Sequence, residues 1–167
     1  MYDELTKSDL KKMQEEIDYR VQTLRPKLIE DVQTARAFGD LSENFEYKCA
    51  KQEKNRNDAR VRYLQRMLKT AHVIDDTSAA DAAGLWDTVE IRMETTGATR
   101  KIRLVTTLRQ DALKGLISKE SPVWKAVLGH RAGERVQVEM ENGRSYYLEI
   151  LSIEKGTDDD TVPIGSF

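Results

Sequence analysis

Gly39-Asp40-Leu41-Ser42-Glu43-Asn44-Phe45-Glu46-Tyr47 separates two long stretches of helical rhythm, and its reading decides the architecture. Gly39 supplies the left-handed residue on which helices commonly end, since it has no Cβ to clash there. Asp40 offers a side-chain oxygen to the unpaired amides of a following helix, and Glu43, three residues on, completes a capping box. A second helix is predicted to start between Leu41 and Asn44. Two helices joined by so few residues must fold back on each other.

The flanks agree. On the N-terminal side, Thr6-Lys7-Ser8-Asp9 has the capping-box pattern. Leu10, Ile17, Val21, Leu24, Leu28 and Ala35 then recur at spacings of four, three or seven, which lays an apolar seam along one helix face. Pro26 lies inside this run; it removes a backbone donor and clashes with the preceding turn, so a kink or short break is predicted. On the C-terminal side, Tyr47, Ala50, Val61, Leu64, Leu68 and Ala71 form a matching seam, interrupted by Lys54 and Asn57. The two arms read as an antiparallel coiled coil, each of roughly 30 residues and about 45 Å at 1.5 Å per residue.

Beyond residue 74 the period changes. Asp, Ser and Ala replace the heptads over 75–84, which reads as a linker. Thr88–Glu94 and Arg100–Val105 alternate like half-buried strands, as do Arg135–Met140 and Ser145–Ile150 around the Asn142-Gly143 hairpin signal. Pro122–Gly129 reads as a short helix with Pro at its start and Gly at its end. The predicted fold class is therefore α+β: a helical hairpin over residues 1–74, a linker over 75–84, and a small antiparallel sheet with a helix across it over 85–155. The acidic residues 156–167 read as a mobile tail.

Composition narrows the function classes. Of 167 residues, 34% are charged and 39% hydrophobic, a balance that suits an element made mostly of surface beside a small core. The formal net charge of -2 advertises no bulk affinity for nucleic acid. Cys49 is the only cysteine and His72 and His130 the only histidines, so a metal would have to be held by carboxylates. The start lacks a signal-peptide pattern and no run approaches the ~20 apolar residues of a membrane span, from which a soluble, cytoplasmic protein is expected. A coiled coil closed within one chain buries its own seam, so a monomer is expected too.

Two readings of the tip stand side by side. Asp40 and Glu43 can simply cap a helix. They can also present hard oxygen donors to a divalent cation such as magnesium at the end of a long lever. Behind them Lys48, Lys51, Lys54, Arg56, Arg60, Arg62, Arg66 and Lys69 face only Glu53 and Asp58 as opposing acids. That stripe is either a solvated helix face or a surface for RNA phosphates.

The tip string, with Arg25-Pro26 and Ala35-Arg36 before it, Ala71–Asp75 after it, and Ile117-Ser118, Ser121-Pro122 and Lys125–Gly129 in the second domain, closely resembles the GreA/GreB family of bacterial transcript cleavage factors. The resemblance covers roughly residues 5 to 154. It implies a C-terminal domain similar to FKBP prolyl isomerases and a hairpin that enters the secondary channel of RNA polymerase. Asp40 and Glu43 would there help hold the second catalytic Mg2+ and orient a water that cleaves backtracked RNA, so the chain alone would be no enzyme. The resemblance further implies that Lys48, Lys51, Lys54 and Arg56 contact the 3′ segment of the nascent RNA, and that Glu120, Ser121 and Pro122 grip the channel rim. DNA-binding is implied only as an attribute of such transcription factors. Phe45 departs from the family, which commonly has a small residue there; its ring could stack on an RNA base or pack against Leu41, and packing is preferred. Two rivals are a channel-binding regulator that does not cleave, and a helical-hairpin binding module that ignores polymerase.

Overall fold

The computed structural model describes residues 3–39, 44–158 and 161–165. The chain divides into two compact units, residues 1–3 with 7–72, and residues 4–6 with 73–167.

The first unit is the hairpin. Its outgoing arm comprises α1 (Lys7–Tyr19), a π-helical turn (Arg20–Leu24) and α2 (Arg25–Ala37); α3 (Phe45–Thr70) returns. The break expected at Pro26 takes the form of the π turn just before it. Proline cannot donate to the carbonyl four residues back, and its ring would collide with that group. Widening the turn avoids the collision, and the Arg25 amide reaches back five residues to the Arg20 carbonyl.

The wider turn changes the phase of the seam. Met13, Ile17, Leu28 and Ala35 are buried, whereas Val21, predicted to lie on the seam, is 43% exposed. The cause is the extra residue per turn within Arg20–Leu24, which a uniform heptad does not anticipate. The seam of α3 follows its prediction more closely, with Val61 and Leu64 buried and Tyr47, Ala50 and Leu68 partly so.

The polar interruption at Asn57 has a partner in the π turn. Asn57 is buried; its Oδ1 accepts from Arg20 Nη1 at 3.0 Å and its Nδ2 donates to the Arg20 carbonyl at 3.3 Å. Glu16 lies beside this pair, accepting from Arg20 Nε at 2.8 Å and from Arg60 Nε and Nη2 at 2.9 and 3.3 Å. Nearer the tip, Asp58 accepts from Arg25 Nε at 2.9 Å and Lys54 Nζ at 3.2 Å.

These two acids make the hairpin sensitive to low pH. Burial pushes the Glu16 carboxyl up, but hydrogen bonds from Arg60 and Arg20 and their charges outweigh it and leave Glu16 below the usual carboxylate value. Asp58 is likewise lowered, with Arg25 and Lys54 overcoming a desolvation cost. Folded-state values below unfolded ones mean stability that is present above the unfolded pKa of about 4 and lost as pH falls through the folded values. Helical circular dichroism of the full chain should therefore melt at progressively lower temperature below about pH 5. Glu16→Gln should flatten that acid limb.

The second unit holds the sheet. A two-stranded ribbon comprises β1 (Glu4–Leu5) and β2 (His72–Val73), with the Ile74 amide donating to the Leu5 carbonyl at 2.9 Å. The main sheet comprises β3 (Thr88–Met93), β4 (Thr99–Leu104), β5 (Leu116–Ile117), β6 (Arg135–Glu139) and β7 (Ser145–Glu154), in the order β5-β4-β3-β7-β6. All neighbours are antiparallel except β4 and β5, which run parallel. The strand β5 is too short to show a period in sequence. Alternation puts Val89, Ile91, Ile102, Leu104, Val136, Val138, Leu148 and Ile150 into one core, where they meet Trp124 and Val127 of α4 (Pro122–Val127). At the Asn142-Gly143 turn, Gly143 has φ of 82°, a conformation that favours glycine.

Two stretches differ from their sequence reading. Residues 75–84, read as linker, contribute the buried Ala82 and Ala83, and the Ala83 amide donates to the His130 carbonyl at 2.8 Å. Small apolar residues among Asp and Ser mimic a linker composition while still fitting a tight core edge. The tail read as mobile is anchored at particular described residues: Val162 is buried, and the Gly165 amide donates to the Leu108 carbonyl at 2.8 Å. Arg109, itself buried over the Trp86 ring, donates to the Val162 carbonyl at 3.2 Å and pairs with Asp158 at 3.1 Å.

Asp87, just before β3, is also fully buried. Asp87 Oδ2 accepts from the Gly84 amide at 2.8 Å and Lys155 Nζ at 2.6 Å, and its Oδ1 accepts from the Gly156 amide at 3.0 Å. Among the described residues no helix is long and apolar enough to cross a membrane.

Candidate functional site at the hairpin tip

The two helix ends that flank the tip are joined by one side chain. α3 begins at Phe45, and its N-cap is Asn44, with extended backbone (φ -77°, ψ 93°) and Oδ1 accepting from the Tyr47 amide at 3.0 Å. The same side chain donates through Nδ2 to the Ala35 carbonyl at 2.5 Å, in the last turn of α2. Both amide atoms of Asn44 thus satisfy backbone groups that a helix end leaves orphaned, one on each arm. The assignment of O and N follows from the partners, an N–H on one side and a C=O on the other.

This corrects the local reading in which Asp40 caps the second helix. The cap lies four residues later, because Asn44 is as good a capping residue as aspartate and can also donate. Asp40 and Glu43, the predicted catalytic and metal-holding pair, lie outside the described residues, as does Leu41. Sequence reasoning missed the double role of Asn44. The preference of asparagine for N-caps was a usable signal, but the capping-box spacing of Asp40 and Glu43 competed with it.

Phe45 and Phe38 flank the tip and are 76% and 74% exposed. Phe45 lies about 160° around the helix from Tyr47 on the inner seam, so it faces away from the other arm. The packing of Phe45 against Leu41 preferred above falls outside the described residues.

The predicted RNA-contacting residues divide. Lys48, Lys51 and Arg56 are exposed and, among the described residues, form no ion pair, which leaves their charge available to an anionic partner. Lys54 is half-buried and committed to Asp58. In the second unit, Ser121 is the N-cap residue of α4 and Pro122 opens that helix. Glu120 and Pro122 line a shallow groove of about 380 Å3 with Lys125, Ala126, Gln137 and Met140. Trp124 is buried in the core. Among the described residues no group of three or more His, Cys, Asp or Glu side chains could hold a metal ion.

Comparison with known proteins bears on both units. The family description "Transcription elongation factor, N-terminal" matches residues 4–73, and "Transcription elongation factor, GreA/GreB, C-term" matches residues 78–155. The transcription elongation factor GreA of Mesoplasma florum is 36% identical over 150 residues, 89% of this chain and 96% of that protein. GreA of Caldanaerobacter subterraneus subsp. tengcongensis is 39% identical over 152 residues, 90% of this chain and 96% of that protein. The crystal structure of GreA factor homolog 1 from Thermus thermophilus aligns over 93% of this chain and all of that one, at 23% identity and a TM-score of 0.43. With both units matched and identity above 30% along nearly the whole length, the chain belongs to the GreA/GreB family of transcription elongation factors.

Proposed function

We propose that this chain is a transcript cleavage factor of bacterial RNA polymerase, and that it acts by carrying Asp40 and Glu43 into the polymerase's active centre through the secondary channel. The observation that carries the reading is the cap of α3. Asn44 does the capping, so helix capping no longer accounts for the two acids at the tip. Family membership over both units supplies the context in which such acids act.

The lever is long enough to matter. The 26 residues of α3 span about 39 Å at 1.5 Å per residue. Two carboxylates are hard donors suited to Mg2+, but they are too few for its octahedral shell. Further donors would have to come from water and from the polymerase, so the proposed catalytic centre is shared and the chain alone is expected to cleave nothing. When bound, the ion supplies Lewis-acid stabilisation to the oxygens of the phosphodiester under attack. Asp40 and Glu43 would hold the ion and orient the attacking water. Lys48, Lys51 and Arg56 draw the 3′ segment of the backtracked RNA along the outer face of α3, with Lys54 contributing less because Asp58 already occupies it. Glu120, Ser121 and Pro122 dock the second unit, with its FKBP-like role confined to binding, at the channel rim.

The test is transcript cleavage in backtracked elongation complexes assembled with bacterial polymerase and magnesium, with and without the chain. Faster release of short 3′ RNA fragments is the expected result. Polymerase binding without faster cleavage would replace this reading by that of a channel regulator, and absence of polymerase binding would remove both.

A further inference from the structure

We infer that Asn44 is a positioning residue for the tip acids, a latch that fixes where the loop between the two arms begins and ends. The inference rests on the proposed cleavage function and adds to it a residue with no direct contact to metal or RNA.

The geometry is specific to an amide. Asn44 Oδ1 holds the first turn of α3 through the Tyr47 amide, while Nδ2 holds the last turn of α2 through the Ala35 carbonyl. The Ala35 carbonyl also accepts from the Phe38 amide at 3.3 Å, so the α2 terminus closes on a carbonyl that the latch shares. The Asn44 carbonyl accepts from the Lys48 amide at 3.2 Å, which fixes the backbone of the cap as well. Ala35 is buried on the inner seam and Tyr47 is partly buried, so the α2 side of the latch is tied to a packed residue.

Two helix ends tied to one side chain have fewer relative arrangements than ends joined by the chain alone. For catalysis that difference matters, because reacting groups must be placed to within a fraction of an ångström, and a misplacement of 1 Å costs on the order of a hundredfold in rate. Serine at position 44 keeps an acceptor for the Tyr47 amide and loses the donor to Ala35. Aspartate keeps the acceptor too, and turns the Ala35 contact into a repulsion between two oxygens. Both variants preserve the helix cap and break the latch.

The experiment compares wild-type chain, Asn44→Ser and Asn44→Asp in cleavage of backtracked complexes, titrating first the factor and then magnesium. A positioning role predicts a maximal rate about 10- to 100-fold lower at saturating factor. It also predicts an unchanged factor concentration at half-maximal rate and a raised magnesium requirement, in both variants. Wild-type rates in Asn44→Ser would overturn the inference, since an effect confined to Asn44→Asp would be one of added charge. A rise in the half-saturating factor concentration, with loss of helical signal, would also overturn it, by making Asn44 a purely structural cap. If the wild-type chain itself stimulates no cleavage, the failure lies with the cleavage reading and not with the latch.

Discussion

Replacing Asp40 and Glu43 together by Ala should reduce stimulated cleavage to the level seen with polymerase alone, while leaving the affinity for polymerase within about twofold of wild type. The reasoning is one of shells. Changing a residue that merely orients a metal ligand typically costs 10- to 100-fold in metal affinity or activity, so removing both direct ligands should cost more than about a hundredfold. Affinity should persist because the docking surface proposed above, Glu120, Ser121 and Pro122, lies in the other unit, and because neither acid is the cap of α3. Single-turnover cleavage at saturating factor reads the first quantity, and competition with labelled wild-type chain reads the second. If the double variant cleaves at the wild-type rate, the acids have no metal role.

Asp87→Ala should be the most damaging single substitution in the second unit among those that leave the tip untouched. The Asp87 carboxylate is fully buried and answers two backbone amides, of Gly84 and Gly156, as well as the Lys155 ammonium. Removing it leaves buried donors unsatisfied and separates a partly buried ion pair, for which losses of roughly 3–5 kcal/mol are usual. Lys155 keeps 34% of its side chain exposed, and water will screen it, so the lower figure of about 3 kcal/mol is the better expectation. For a unit of this size that is a fall of roughly 12–24 °C in melting temperature. Asp87→Asn retains an acceptor oxygen and should lose less. Thermal unfolding of the full chain measures both, and an Asp87→Ala melting temperature within 3 °C of wild type, by this scale (~), would show that the amides find other partners.

The parts of the fold that could be read in sequence are those fixed by local chemistry or by a repeating period. The seam of α3 was legible because Val61, Leu64 and Leu68 keep a heptad rhythm that packing then obeys. The four long strands were legible because alternation puts Val89, Ile91, Val136 and Val138 on one face. Val21 was misread because a π turn breaks the period without any change in hydrophobicity, the only sign being Pro26. The packing of Val162 depends on residues more than fifty positions away, and an acidic sequence around it gives no local hint. At the tip, the acids stand out in the sequence through their resemblance to a family, and they lie outside the described residues. Half of the latch was not legible, because the Ala35 carbonyl becomes a partner for Asn44 only once two helices have folded back on each other.

The π turn also separates chain length from reach. The outgoing arm runs from Lys7 to Ala37, yet five of its residues form a wider coil than the helix around them, so counting residues overstates the distance this arm covers. Its excess is absorbed beside Asn57, whose side chain adds a second donor, from the other arm, to the Arg20 carbonyl that the Arg25 amide already engages. The wide turn thus works as a slack-taking joint: it takes up a residue more than a plain α-helix would hold between Ile17 and Leu28, both of which stay buried.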